Sequence, residues 1–384
     1  MTSNITFVYP NRIDECTIFD ANNPANWSTK LPLTNIQNRI IKEVARSNIG
    51  VRSAVLKINL SNQSRPIGGI GIVKHNFTTN AKVRFEGFSG LDFTGTKRFD
   101  STEDYRAYPI INPMDNGAIP FESRNWWLGT VEESERKSYT SLCSFYPDDN
   151  NMCQSVRITI VDPVTVGTTS ATSMLIGKGQ KTFTTALGDV YYSGQKVTIY
   201  SNANPVNFMS GEVASCVGTN LILNSAQIGG SGTFSDWNII NGDNYLEIGR
   251  IILGKAIEPK YNPEYGNFAM GFADLTEVTN ASDCTEYYNF KPRMRVVSSN
   301  FKHLTKPEAL SGFLDAQREL GISGELMFAF SKPEYIVGIN SNINMTKDAN
   351  HYLHTFLGHF TSLNKVIHAY CGGYENNVEI KEIV

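Results

Sequence analysis

A β-strand pattern in this chain stops at Asp162-Pro163 and resumes at Tyr245, and the stretch between has a different texture. Before the gap stands Ser155-Val-Arg-Ile-Thr-Ile-Val-Asp-Pro163, apolar at Val156, Ile158 and Ile160; after it stands Asn244-Tyr-Leu-Glu-Ile-Gly-Arg-Ile-Ile-Leu-Gly254. Residues 164–243 are dominated by Gly, Ser, Thr and Asn, with few charges and short alternating runs. Insertions of this kind are tolerated at exposed loop tips. The pattern predicts a β scaffold presenting an extra β module, a plan that suits binding and assembly better than catalysis.

The 384 residues suffice for two or three domains, each burying its own core. Only 18% are charged and 11% are aromatic, a mix that favours a turn-rich, mainly β protein. A net charge of −3 without any Lys/Arg block argues against a nucleic-acid footprint. No apolar run approaches the ~18 residues of a membrane-spanning helix. The first residues lack a basic stretch followed by an apolar one, so no secretory signal is expected. Six scattered cysteines include no Cys-x-x-Cys pair; free thiols are the expectation, with Cys143 and Cys153 the only local alternative for a bridge.

Outside the insert, Val51–Leu60, Ile67–Asn76 and Ala81–Phe88 read as strands. In the last, Ala81, Val83 and Phe85 face inward while Lys82, Arg84 and Glu86 face solvent. The insert's strands read Lys181–Thr185, Lys196–Tyr200, Met209–Ser215 and Asn220–Asn224, consistent with a small sandwich or barrel. Further on, Tyr287–Val297 reads as one strand in which Pro292 marks an edge or bulge. A helix is expected near 306–320, with Thr305 capping it, Gly321 ending it and Leu310, Phe313, Leu314 and Leu320 as its apolar stripe.

No catalytic constellation emerges. His351, His354 and His359 lack a fitting Glu or Cys for a metal. Gly229-Gly-Ser-Gly232 lacks the strand-to-helix setting of a nucleophile elbow. Gly68-Gly-Ile-Gly71 is followed by no Gly-Lys-Ser/Thr and opens no helix, so it is no phosphate loop. Paired acids such as Glu132/Glu133 and Asp148/Asp149 lie in solvated stretches. No cofactor is expected and no enzyme. Trp126, Trp127, Tyr191, Tyr192 and Trp237 remain as candidates for stacking on a ligand or anchoring an interface, against the alternative that they fill β cores.

The strands Ile67–Asn76, Ala81–Phe88, Ser155–Ile160 and Leu246–Leu253 resemble the galactose-binding-like, discoidin-type jelly roll. The order of Val73-Lys-His-Asn-Phe77, Asn125-Trp-Trp-Leu-Gly129, Glu247-Ile-Gly-Arg-Ile-Ile-Leu-Gly254 and Lys291-Pro-Arg-Met-Arg-Val296 resembles tail-tip proteins of tailed bacteriophages. Phe313–Leu326 and the closing Val378-Glu-Ile-Lys-Glu-Ile383 continue that likeness, while the insert is similar to small β modules of phage tail and fibre proteins.

The resulting expectation is a mainly β chain. Residues 1–163 with 244–260 form a jelly-roll sandwich, 164–243 an inserted β module, and 261–384 a β-rich barrel or sandwich with one helix. The resemblance implies a structural protein of the distal tail or baseplate in the virion, made in the host cytoplasm. It implies partners among tube, hub and fibre proteins, and a homo-oligomeric ring, hexameric as a first expectation. The alternative is a carbohydrate-binding adhesin contacting host surface glycan; a third is a glycan hydrolase with carboxylates in the Leu91–Gly129 stretch.

Overall fold

The computed structural model describes residues 4–60, 63–103, 105–108, 124–131, 136, 139–164, 166–264, 266–280, 282–332, 335–337, 344–346 and 351–384. The chain is mainly β. Its scaffold is a jelly-roll sandwich of two antiparallel sheets. One sheet orders Thr17–Asp20, Ser53–Asn59, Ser155–Val161, Lys82–Phe88 and Lys97–Asp100. The facing sheet carries Glu247–Ile257, Gly69–His75 and Leu142–Phe145. Alternation puts Leu56, Ile58, Val83, Phe85, Ile158 and Ile160 on the inner face, where they meet Ile70, Ile72, Ile251 and Leu253 in one dry core. Outward-facing Glu86 is nevertheless only 1% exposed, because Arg84, Lys97 and Arg157 close over it.

The two strands that flank the insert belong to opposite sheets of this sandwich, so residues 164–243 bridge from one layer to the other. The insert itself orders Val166–Ser170, Trp237–Asn241, Lys196–Ser201, Phe208–Val217, Asn220–Gly229 and Gly179–Thr184. A bridge from Ser170 to Thr185, with Ser170 Oγ donating to the Thr184 carbonyl at 2.7 Å, joins the two edges and closes a six-stranded barrel. Closure removes the unpaired edges that an isolated small sheet would expose. Phe183, Val197, Ile199, Met209, Leu221, Leu223 and Trp237 fill it.

The third core is built by the C-terminal strands and by the chain's own beginning. Thr6–Tyr9 pairs with Glu247–Ile257 on one side (Phe7 opposite Ile257) and with Leu326–Ala329 on the other (Phe7 opposite Phe328). One sheet therefore runs from the sandwich through the N-terminal strand into the C-terminal strands Thr355–Phe360, Gly373–Glu382, Met294–Leu304 and Phe268–Ala273. A shared seam of Val8, Val73, Ile252, Met327 and Leu357 lies buried between the two cores. The glycines of the Ile67–Gly71 run serve this seam: a Cβ on Gly69 would stand 2.3 Å from Val8 Cγ2.

Two expectations need correction. Tyr287–Val297 is not one strand: Glu286–Asn289 and Met294–Leu304 are separate, with Pro292 in the break. Pro cannot donate to a ladder, so pairing lapses there. The helix lies where expected, and Glu308 Oε2 accepts both the amide and the hydroxyl of Thr305 at 2.7 Å. Its first half, Glu308–Leu314, is π-wound, and Asp315–Leu320 continues it as α-helix. The wider turn shifts the buried stripe to Ala309, Gly312, Phe313 and Ala316, leaving Leu310 and Leu314 exposed.

Gly69→Val should therefore lower stability by about 1–3 kcal/mol through overpacking against Val8. A thermal melt reads this; an unchanged midpoint would show that the seam is not close-packed there.

Candidate functional site

The five aromatic candidates separate by burial. Trp237 is 1% exposed, donates its indole N–H to the Thr172 carbonyl at 3.0 Å and packs edge-on against Phe183 and Phe234. Tyr191 is buried and donates its hydroxyl to the Ile239 carbonyl at 2.9 Å; burial raises its pKa well above the usual tyrosine value. Both are barrel core and present no face to a ligand, which corrects the expectation for them. Tyr192 is exposed at the barrel surface. Trp127 is 68% exposed and meets half-buried Trp126 edge-to-face at 4.8 Å, in the short helix Arg124–Leu128. The structure thus brings Trp126 and Trp127 together and leaves Tyr192 on another domain.

Two charged residues of the sequence motifs, Arg250 and Arg295, are structural. Arg250, fully buried, donates to both oxygens of Asp14 at 2.7 and 3.0 Å and to Glu325. Burial disfavours its charge, but hydrogen bonds to the two carboxylates outweigh that and raise its pKa. Arg295 is paired with Glu382 and donates to the carbonyls of Tyr352 and Thr355 at 2.8 and 3.1 Å. His75, in the Val73–Phe77 motif, is buried and stacked on Phe77; burial drives its pKa down to about 3, so it stays neutral.

A third buried pair governs the insert. Arg52 bonds Asp162, where the chain leaves the sandwich, and donates to the carbonyls of Asp243 and Tyr245, where it returns, at 2.8 and 2.7 Å. Asp162 also accepts from the Thr78 amide at 3.0 Å. Lys196 of the barrel bonds Asp243 at 2.8 Å. These contacts hold the exit and return of the insert side by side.

The outer face of the five-stranded sheet carries an open cleft of about 460 Å³ lined by Lys82, Arg84, Glu86, Arg157 and Thr159. Arg157 is bidentate to Glu86 at 2.6 and 2.8 Å, and Arg84 is bidentate to Asp100 at 2.9 and 2.7 Å. The hydrogen bond from Arg84 is the main reason Asp100 stays ionised far below the usual carboxylate range. Acids and bases here neutralise one another.

Among the described residues, no three His, Cys, Asp or Glu side chains are grouped to hold a metal ion. His351 lies near Ser144 and Thr355, and His354 near Met270, so the two share no ligand set. All six cysteines are free; burial pushes the Cys16 and Cys153 thiols up to about 12, which leaves them unreactive. Glu132 and Glu133, and residues 104 and 109–123 of the long stretch before Trp126, lie outside the described residues.

One surface was missed in the sequence. Glu277–Asn280 and Glu286–Asn289 form a two-stranded ribbon paired with nothing else among the described residues, and all eight strand residues are exposed. Val278 is 53%, Tyr287 62%, Tyr288 49% and Phe290 80% exposed. The signal was available in Tyr287-Tyr-Asn-Phe290, cut off from the following strand by Pro292.

No family model matches the chain, and no curated protein does. Solved structures give loose likenesses. The family 32 carbohydrate-binding module of C. perfringens NanJ, in complex with galactose, is 13% identical, covering 40% of this chain and 88% of its own, with a TM-score of 0.25. A second Clostridium perfringens module of that family, in complex with GlcNAc-α-1,4-galactose, is 15% identical over 40% of this chain and 79% of its own, TM-score 0.23. A fucolectin from striped bass (Morone saxatilis) serum is 9% identical over 65% of this chain and all of its own, TM-score 0.24. Likenesses this loose carry no inference about what the chain binds.

Arg52→Met should leave Asp162 buried without its counter-charge, a loss of about 3–5 kcal/mol. It should also make the 164–243 junction the first site of limited proteolysis. Cleavage elsewhere first, with stability unchanged, would refute the clamp.

Proposed function

We propose that this chain is a non-enzymatic assembly subunit, of the kind found at the tail tip of a bacteriophage, that forms a homo-oligomeric ring and carries the barrel outward. The observation that carries this reading is the bare ribbon. A two-stranded hairpin is marginal alone in water, and this one holds Val278, Tyr287, Tyr288 and Phe290 away from every core. Apolar surface displayed on a projecting element marks a contact with another molecule. The order of tail-like motifs supports the same reading, and their Arg250 and Arg295 build the frame from which the ribbon projects. Catalysis gains no support from buried, neutralised charges.

A carbohydrate-binding adhesin is the second reading, favoured by Trp127, whose indole is 68% exposed. The mass of the purified protein in solution separates the two. A ring of six 42.7 kDa chains has a mass of about 256 kDa. A closed multiple of the chain mass supports the assembly subunit. A monomer at every concentration, with glycan binding that is lost in Trp127→Ala, would replace it with the adhesin.

A further inference from the structure

Three segments distant in sequence meet near the end of the strand Met294–Leu304. The ladder between that strand and Gly373–Glu382 slips between Phe301 and Leu304, and there His303 takes a left-handed backbone, with φ of 62°. A bulge re-aims a side chain. Left-handed backbone is uncommon outside glycine, and such outliers cluster at functional sites. Here the imidazole lies between Glu264, from the loop after Glu247–Ile257, and Tyr370, the last residue of the strand Ile367–Tyr370.

His303 Nε2 stands 3.0 Å from Glu264 Oε1, and Nδ1 stands 2.5 Å from the Tyr370 hydroxyl. The partners fix the tautomer. Hydrogen bonds from His303 and Lys302 hold the Glu264 carboxyl below its ordinary range, so it is ionised and only accepts. Nε2 therefore carries the proton, and Nδ1 presents its lone pair to the phenol O–H. Both outer members are themselves held. Glu264 Oε2 accepts from Lys302 Nζ at 3.1 Å and from Asn267 Nδ2 at 3.3 Å. The Tyr370 ring sits so close over Gly373 that a Cβ there would fall 2.0 Å from its Cζ. Carboxylate, imidazole and hydroxyl in this order are the signature of an activated nucleophile.

We propose that Tyr370 is a nucleophile and a site of O-acylation, with His303 as its general base and Glu264 as the residue that positions the base. The co-reactant is an activated acyl compound, RCO–X, in which X is a good leaving group. Tyr370 Oη attacks the acyl carbon as its proton passes to His303 Nδ1. The Oη–C bond forms, the C–X bond breaks, and X departs with the bonding pair and takes up that proton. The products are a tyrosyl ester, neutral His303 and HX, with nothing oxidised or reduced. A single covalent event of this kind does not depend on whether the chain assembles, so it stands apart from the reading proposed above.

Acetylation of the full chain by N-acetylimidazole, read by peptide mass spectrometry, tests this with two other tyrosines as internal standards. Tyr261 and Tyr287 are 54% and 62% exposed against 47% for Tyr370, so exposure alone would acetylate them first. General-base assistance reverses the order: Tyr370 should lead both by about 100-fold, the low end for a positioned base. His303→Asn keeps a residue type that tolerates left-handed backbone and should bring Tyr370 down to the rate of the standards. Glu264→Gln separates charge from bracing, because the Gln amide oxygen can still accept from Nε2. Loss of the charge that stabilises the forming imidazolium should slow Tyr370 and leave Tyr261 and Tyr287 unchanged, whereas a merely structural role predicts no change. Tyr370 acetylated no faster than the standards overturns the proposal, as does a lead that persists in both variants. Should His303→Asn lose its cooperative melt, Glu264→Gln carries the same comparison at an exposed side chain.

Discussion

A single buried guanidinium ties the molecule together. Arg250 lies on the long sandwich strand, Asp14 follows the N-terminal strand, and Glu325 precedes the C-terminal strand Leu326–Ala329. Their ion pairs draw three distant stretches of sequence to one point. Asn11 donates to the Ile251 carbonyl and accepts from the Leu253 amide, fixing the neighbouring backbone. Removing a charge from water costs several kcal/mol and is offset only when nearly every donor is met. Arg250 satisfies that condition by using both carboxylates. Geometry this demanding specifies one relative placement of sandwich and C-terminal strands, which hydrophobic contact alone would leave looser.

Arg52 does for the insert what Arg250 does for the two main cores. It holds together the strand that leaves and the segment that returns, so the barrel grows from a fixed stem. The barrel closes on itself and keeps its own core, which frees the sandwich from depending on it for burial. The buried arginines Arg52, Arg250 and Arg295 are all committed to such internal pairs. The ribbon Glu277–Asn280/Glu286–Asn289 exposes aromatic and aliphatic side chains, which suits contacts between proteins better than bond-making chemistry.

Much of this was legible in the sequence, for identifiable reasons. Period-two alternation in Ala81–Phe88 and Ser155–Ile160 gave the sandwich strands, because one face of each meets a core and the other does not. The Thr305 cap and the Gly321 stop located the helix. Its stripe was misjudged because π-winding changes the angular step between residues, which composition does not announce. Thr6–Tyr9 is not among the strands legible in the sequence: its partners lie some 250 and 320 residues away, at Ile257 and Phe328, and no local pattern encodes them. Among the site candidates, Tyr191 and Trp237 could not be told from Tyr192 and Trp127 by residue type. Closure of the barrel turns Tyr191 and Trp237 inward. Glycines 69 and 71 were recognised as forming no phosphate loop, but their role in the close approach of a second core needed the seam itself.

Amide hydrogen exchange, followed residue by residue across a concentration series, tests the central claim most directly. A frame locked at Arg250, with its assembly ribbon left bare, predicts that Thr6–Tyr9 exchanges as slowly as Glu247–Ile257 at every concentration. It predicts also that Glu277–Asn289 exchanges fast in dilute protein and slows as copies associate. Fast exchange at Thr6–Tyr9, or a ribbon whose protection ignores concentration, would contradict it.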